Sequence, residues 1–170
     1  YGILPDIFCL GKGISSSLPL SAVVGNKKYM DLYEPGAMTS THTGSPLSCA
    51  AALGSIAAIE KNNLVENAAA MGRIFEEELQ KMEKRFDCIQ FVRGTGLVWG
   101  VQFGKKGTET PDPDTAYEVV GRCVEKGLLL FAPVGLGGGT VKLNPPLCIN
   151  EEAVREGCVV FAEAIAEVCK

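Results

Sequence analysis

Apolar residues in this chain gather into short dense blocks and two longer periodic stretches. Residues 6 to 11 ("DIFCLG") and 19 to 25 ("PLSAVVG") are rich in Ile, Phe, Leu and Val and read as two short strands around a turn. Asn26 to Tyr33 reads as a short surface helix. "EPGAMTSTHTGSP" (34 to 46) is a loop by composition, long enough to serve a purpose. Ser45 suits an N-cap and Pro46 the first helical position, so an alanine-rich helix is expected from Pro46 to about Glu60. Leu64, Ala68, Met71, Phe75, Leu79, Met82 and Phe86 recur at spacings of three and four, with Glu and Lys between them. That stripe predicts a second helix packing on a core.

After Phe86 the period changes. "CIQFVRGTGLVWGVQF" (88 to 103) predicts a hairpin turning at Gly94-Thr95-Gly96, with Trp99 in the core. Asp114 is placed to cap a helix running to Lys126, which Gly127 stops. "LLLFAPV" (128 to 134) and "TVKLNPP" (140 to 146) read as strands separated by the flexible "GLGGG". Asn150 is placed to cap a last helix, whose Val154, Cys158, Phe161, Ile165 and Val168 share a face. The order ββαββα implies a sheet with helices on one side, and a domain boundary is expected within residues 60 to 86. No internal repeat is visible.

Composition narrows the classes. The 170 residues are 46% hydrophobic and 21% charged, which is globular, and the net charge of −4 leaves no basic footprint for nucleic acid or an anionic membrane. No apolar run reaches the roughly 18 residues a membrane helix needs. The seven cysteines form no CxxC, and His42 is the one histidine, so a zinc site or a disulfide framework is not expected. The cysteines are read mostly as small core residues in a reducing compartment. The chain opens at Tyr1 inside a hydrophobic segment with no capping signal before it, and reads as a piece of a longer polypeptide.

One lysine stands apart. Lys12 follows the first strand and lies between Gly11 and Gly13, ahead of three serines. A phosphate loop would need a glycine where Asp6 sits and a Ser or Thr where Gly13 sits, so that reading fails. "GLGGGT" likewise lacks the last glycine of a dinucleotide fingerprint. Two readings remain for Lys12, a solvated turn or a Schiff-base amine. Desolvation would lower the ammonium's pKa from about 10.4 and free its lone pair, and flanking glycines leave room for a flat aldehyde.

"LGKGISSSLPLSAVVG" (10 to 25) resembles the cofactor-lysine segment of class III aminotransferases, usually written LGKGxGGGxPxGAV. "STHTGSPLSCAAAL" (40 to 53) is similar to the family's STxxGNPLxCAAAL, "FVRGTGLVWGVQF" (91 to 103) to VRGxGLMxGIEF, and "TVKLNPPLCINEEAV" (140 to 154) to xIRxxPPLxIxxEEV. The four follow in the family's order and span nearly the whole chain, which would be less than half of such an enzyme. The family includes 4-aminobutyrate, ornithine and acetylornithine aminotransferases.

The resemblance implies an α/β chain of the aspartate-aminotransferase type, fold type I. Residues 1–60 would be the end of the large cofactor domain; 61–170 would be a connecting helix and a C-terminal α+β small domain. It implies pyridoxal 5′-phosphate as cofactor, with Lys12 forming the internal aldimine and shuttling the proton of transamination. Thr41 matches the threonine that donates to the cofactor phosphate across a dimer interface. Lys142 stands where many members hold substrate carboxylate with an arginine; it either meets substrate or snorkels from an edge strand. Arg93 is structural or touches substrate, and His42 is assigned no role. Ser15, Ser16 and Ser17 replace glycines, which should stiffen the turn and add hydroxyls near the cofactor. Ser45 replaces an asparagine.

The expected partners are an amino-group donor and a 2-oxo acid, with the protein a cytoplasmic homodimer or tetramer. The same-fold alternatives are a semialdehyde aminomutase or a dialkylglycine decarboxylase; a non-catalytic fragment is the third.

Overall fold

The computed structural model describes residues 2–105 and 107–169. The chain divides into two compact units, one ending at Asn63 and the other beginning at Leu64.

In the first unit, β1 (Ile7–Leu10) pairs antiparallel with β2 (Ala22–Gly25), Leu10 opposite Ala22 and Ile7 opposite Gly25. Asn26 caps α1 (Lys27–Met30) by accepting from the Lys28 amide at 2.9 Å. A turn-rich loop leads to α2 (Pro46–Lys61), with Pro46 at its start. Ser45 occupies the cap position as expected, but its side chain makes no capping hydrogen bond. No charge enters α2 before Glu60, and Leu47, Leu53 and Ile56 are exposed alongside Ile7, Phe8, Val23 and Val24. Two strands and an all-round apolar helix bury little by themselves; Ala52 is the buried apolar side chain among the described residues of this unit.

The second unit has a core of its own. Helix α3 (Leu64–Arg85) buries Phe75, Leu79 and Met82 of its stripe, and Phe86 follows them inward. Then β3 (Ile89–Thr95) and β4 (Val98–Phe103) form the hairpin, and β5 (Thr140–Leu143) joins β4 to give an antiparallel sheet ordered β3-β4-β5. Thr95 faces Val98, so the turn is Gly96-Leu97, two residues later than the glycine spacing suggested. Trp99, Val101, Phe103, Val141 and Leu143 pack inward with α3, α4 (Pro113–Glu125) and α5 (Glu151–Val168). Phe103 meets Phe161 edge-on at 6.5 Å. Each such buried side chain contributes about 1.5–3 kcal/mol by leaving water.

Four local expectations are corrected. The cap of α4 is Asp112, not Asp114, because Pro113 takes the first helical position and shifts the frame. Gly127 does stop this helix: at φ +89 it donates to Val124 O, and Leu128 donates to Cys123 O. Residues 128–134 form no strand; only Val134 bridges, to Thr140, because the run has no partner strand, and Leu129 and Phe131 stay exposed. The order is therefore ββαβα. Finally, Cys88 and Cys169 are disulfide-bonded, and only Cys123 and Cys158 are buried as free thiols. The fold brings the start of β3 to within 6.3 Å (Cα–Cα) of the end of α5, across 81 residues of sequence.

Candidate active site

Strand β1 ends at Leu10 and hands the chain to a 3-10 turn, Lys12–Ser15. Lys12 is exposed and lies at φ +50, left-handed territory that a side-chain-bearing residue enters at a cost of about 1–2 kcal/mol. The turn is closed by Ile14 N donating to Gly11 O and Ser16 N donating to Gly13 O. Ser16 is left-handed as well, at φ +64. The amine thus leaves a rigid strand end from a backbone that the surrounding turn holds in an unfavourable state.

The three serines divide their work. Ser15 is buried and donates to Leu18 O, and Ser16 shares a 3.0 Å hydrogen bond with Ser55 of α2. Both hydroxyls are committed to fixing the turn rather than to a ligand, which corrects the expectation for two of the three. Ser17 instead lines an open concavity with Lys12, Ser21, Ser40, His42 and Thr43. The loop side is ordered by its own hydroxyls: Ser40 N donates to Thr43 Oγ1 at 3.0 Å, and the two hydroxyls meet at 2.8 Å.

No Asp or Glu lines this concavity. One amine surrounded by neutral hydroxyl donors suits an electrophilic carbonyl that also carries an anionic group. Thr41, on the same turn as Thr43, is exposed and lies outside the lining; the role implied for it is toward a second subunit. Sequence assigned His42 no role and did not single out Ser40 or Thr43. Their placement depends on a turn whose hydrogen bonds join residues three apart, and Ser/Thr composition was its only signal.

Lys142 lies in the second unit, exposed on β5, on the sheet face opposite the helices. It stands directly across from Gly100, which in turn faces Arg93. Arg93 is exposed as well, its guanidinium 4.7 Å from the centre of the Phe91 ring. Trp99 is buried, and its indole N–H donates to Gly96 O at 2.8 Å. Burial pushes the Cys123 thiol up to about 11 and the Cys158 thiol up to about 12, so neither is a nucleophile near neutral pH.

Residues 1–165 match the family model described as Aminotransferase class-III. The chain is 34% identical, over 98% of its length, to a 5-aminovalerate aminotransferase of Pseudomonas putida, of which it spans 39%. It is 36% identical over 99% of its length to a leucine/methionine racemase of Thermococcus litoralis, spanning 38% of that protein. The crystal structure of an acetylornithine aminotransferase from Elizabethkingia anophelis superposes with a TM-score of 0.87 at 34% identity, covering 98% of this chain and 40% of that one. The fold is therefore that of a C-terminal part of a fold type I aminotransferase. The chain belongs to the class III aminotransferase family.

Proposed function

We propose that the protein moves an amino group from an amino acid or amine to a 2-oxo acid, using pyridoxal 5′-phosphate held by Lys12. The observation that carries this reading is Lys12 itself: an amine on a strand end, in strained backbone, opening into a concavity lined by hydroxyls and free of carboxylates. That donor set fits an aldehyde bearing a phosphate. When bound, the cofactor supplies an electron sink for bond breaking at the substrate's Cα. Lys12 Nζ first holds the cofactor. A Lys12 Nζ freed by the donor amine would serve as the base that accepts the donor's Cα proton and hands it back during turnover. Thr41 donates its hydroxyl to the phosphate bound in the partner subunit of a homodimer, and Lys142 attracts the substrate carboxylate.

We also propose a cytoplasmic setting. Five of the seven cysteines are unpaired, as a reducing compartment keeps them, and Cys88–Cys169 is the one pair that such a compartment would open. No helix among the described residues is long and apolar enough to cross a membrane.

The experiment is titration of the purified protein with pyridoxal phosphate, borohydride reduction and peptide mass mapping. A reduced adduct on Lys12, lost in Lys12→Ala, is expected; an unmodified Lys12 would remove the reading. A second reading, in which the same proton returns to Cα, is favoured by the racemase relative at 36% identity. Product analysis separates the two, because transamination yields a 2-oxo acid and racemisation yields the mirror-image amino acid. An aminomutase or a decarboxylase would be known by its own product.

A further inference from the structure

Helix α5 is well started and poorly ended. Asn150 caps its first turn, accepting from the Ala153 amide at 2.9 Å, and Glu151 and Glu152 suit the positive end of the helix dipole. At the other end no glycine turns the chain, and the last turn carries no cation. It carries Glu167 instead, a charge of the wrong sign for that end. The turn is held by the Cys169 amide donating to Ile165 O at 2.8 Å, by Lys126 of α4 pairing with Glu163 and Glu167, and by the bond from Cys169 to Cys88. Both carboxylates are exposed, so the ion pairs contribute little. The anchor is firm by contrast. The Cys88 carbonyl accepts from the Gly104 amide at 2.9 Å, and Ile89 beside it is fully buried. Cys88 and Cys169 are themselves only half-buried, so a small thiol or peroxide reaches them.

We propose that Cys88 and Cys169 form a redox latch on the last turn of α5, closed by a peroxide and opened by a dithiol. The structure shows the closed form. Closure oxidises two thiols to one disulfide: one thiolate attacks a peroxide oxygen and becomes a sulfenic acid, and the other displaces its oxygen as the S–S bond forms. The two thiol protons and the reduced peroxide leave as two waters. Opening runs by exchange. A thiolate of the dithiol bonds to one sulfur, which breaks the S–S bond and releases the other cysteine as a thiolate that takes a proton. The second thiol of the reagent then frees the bound cysteine and leaves the dithiol oxidised. With the latch open, the turn keeps only its weak contacts and frays. Glu167 leaves Lys126, and Val168 leaves the core it packs against. The opening is local, and the rest of the unit stays folded. A reducing compartment keeps the latch open, and oxidant closes it.

The test uses the 170-residue chain and no cofactor. Protein reduced with dithiothreitol and then freed of it is treated with hydrogen peroxide in equimolar amount, and the remaining thiols are alkylated in denaturant and mapped. Cys88 and Cys169 should be the pair lost, with Cys9, Cys49, Cys123, Cys148 and Cys158 still alkylated. Dithiothreitol without denaturant should restore both. Amide hydrogen exchange then compares the two forms. Amides of residues 166–169 should exchange about tenfold or more faster in the reduced form, while those of residues 154–161 keep their rates. Cys88→Ser and Cys169→Ser should each show the fast exchange whether or not oxidant is present. The first of these is decisive, because it leaves the sequence of α5 intact. Equal exchange in the two forms of wild type, slow exchange retained in Cys88→Ser, a different pair closing first, or a bond that opens only in denaturant overturns the proposal.

Discussion

Asp112 holds Thr115 twice across the first turn of α4: one carboxylate oxygen accepts from the Thr115 amide at 3.0 Å and the other from its hydroxyl at 2.7 Å. The backbone bond, then the hydroxyl bond, lower the carboxyl's pKa below its ordinary value. A depressed carboxylate stabilises the fold above its unfolded-state pKa of about 3.9 and loses that contribution as the pH falls through the folded value. Asp112→Ala should therefore cost about 1 kcal/mol at neutral pH. The difference from wild type should shrink in acid. Urea melts at several pH values check both, and a difference that grows below pH 4 would contradict the pairing.

Two glycines in helices should respond oppositely to alanine. A Cβ on Gly72 of α3 would stand 2.5 Å from Gly96 Cα and 2.6 Å from Gly96 O, which is backbone of the hairpin turn and does not swing aside. Gly72→Ala should cost about 3 kcal/mol, at the upper end of overpacking. Gly121 of α4 has open space around its missing Cβ, so Gly121→Ala should add about 0.5–1 kcal/mol. Equal effects in thermal unfolding would mean that α3 does not sit against the turn.

The Cys88–Cys169 bond ties β3 to the last helix over a long loop. Loop-closure entropy over so long a loop gives about 4–5 kcal/mol, of which such bonds typically deliver about 2–4 kcal/mol. Cys169→Ser should lower the melting temperature of oxidised protein and leave it unchanged under reductant. A single melting temperature for wild type with and without reductant would show that the bond carries no stability.

Lys12 and Thr41 are proposed to serve different active sites of one dimer. A Lys12→Ala subunit mixed with a Thr41→Ala subunit should then regain activity in a fraction of exchanged dimers, because one site keeps both residues. This test needs the full-length protein, since the chain spans about 39% of the length of the 5-aminovalerate aminotransferase it matches. Verified subunit exchange with no recovery counts against the assignment of Thr41.

Helices were legible wherever one periodic face met one core. Phe75, Leu79 and Met82 in α3, Phe86 just after it, and Val154, Cys158, Phe161 and Ile165 in α5 fell inward as their spacing required. Strands were harder, because a strand exists only with a partner. The run Leu128 to Val134 has strand composition, yet pairs only at Val134. Asp112 and Asp114 offer the same chemistry two residues apart, and Pro113 decides between them. At the site, Lys12 was singled out because its glycine-flanked position resembles a known segment, and the structure places it at an open concavity. The row of Arg93, Gly100 and Lys142 was not, since cross-strand register joins residues 7 and 42 positions apart and leaves no local mark.

The left-handed backbone at Lys12 also bears on how this sequence tolerates mutation. Glycine adopts φ +50 without the steric penalty, so Lys12→Gly should leave the chain no less stable while removing its amine. At most positions a mutation that abolishes chemistry has little effect on folding, or harms it. Here drift toward a more comfortable backbone and loss of the chemistry proposed for Lys12 run in the same direction. Folding alone gives no reason for lysine to occupy this position, which accords with the cofactor role proposed for its amine.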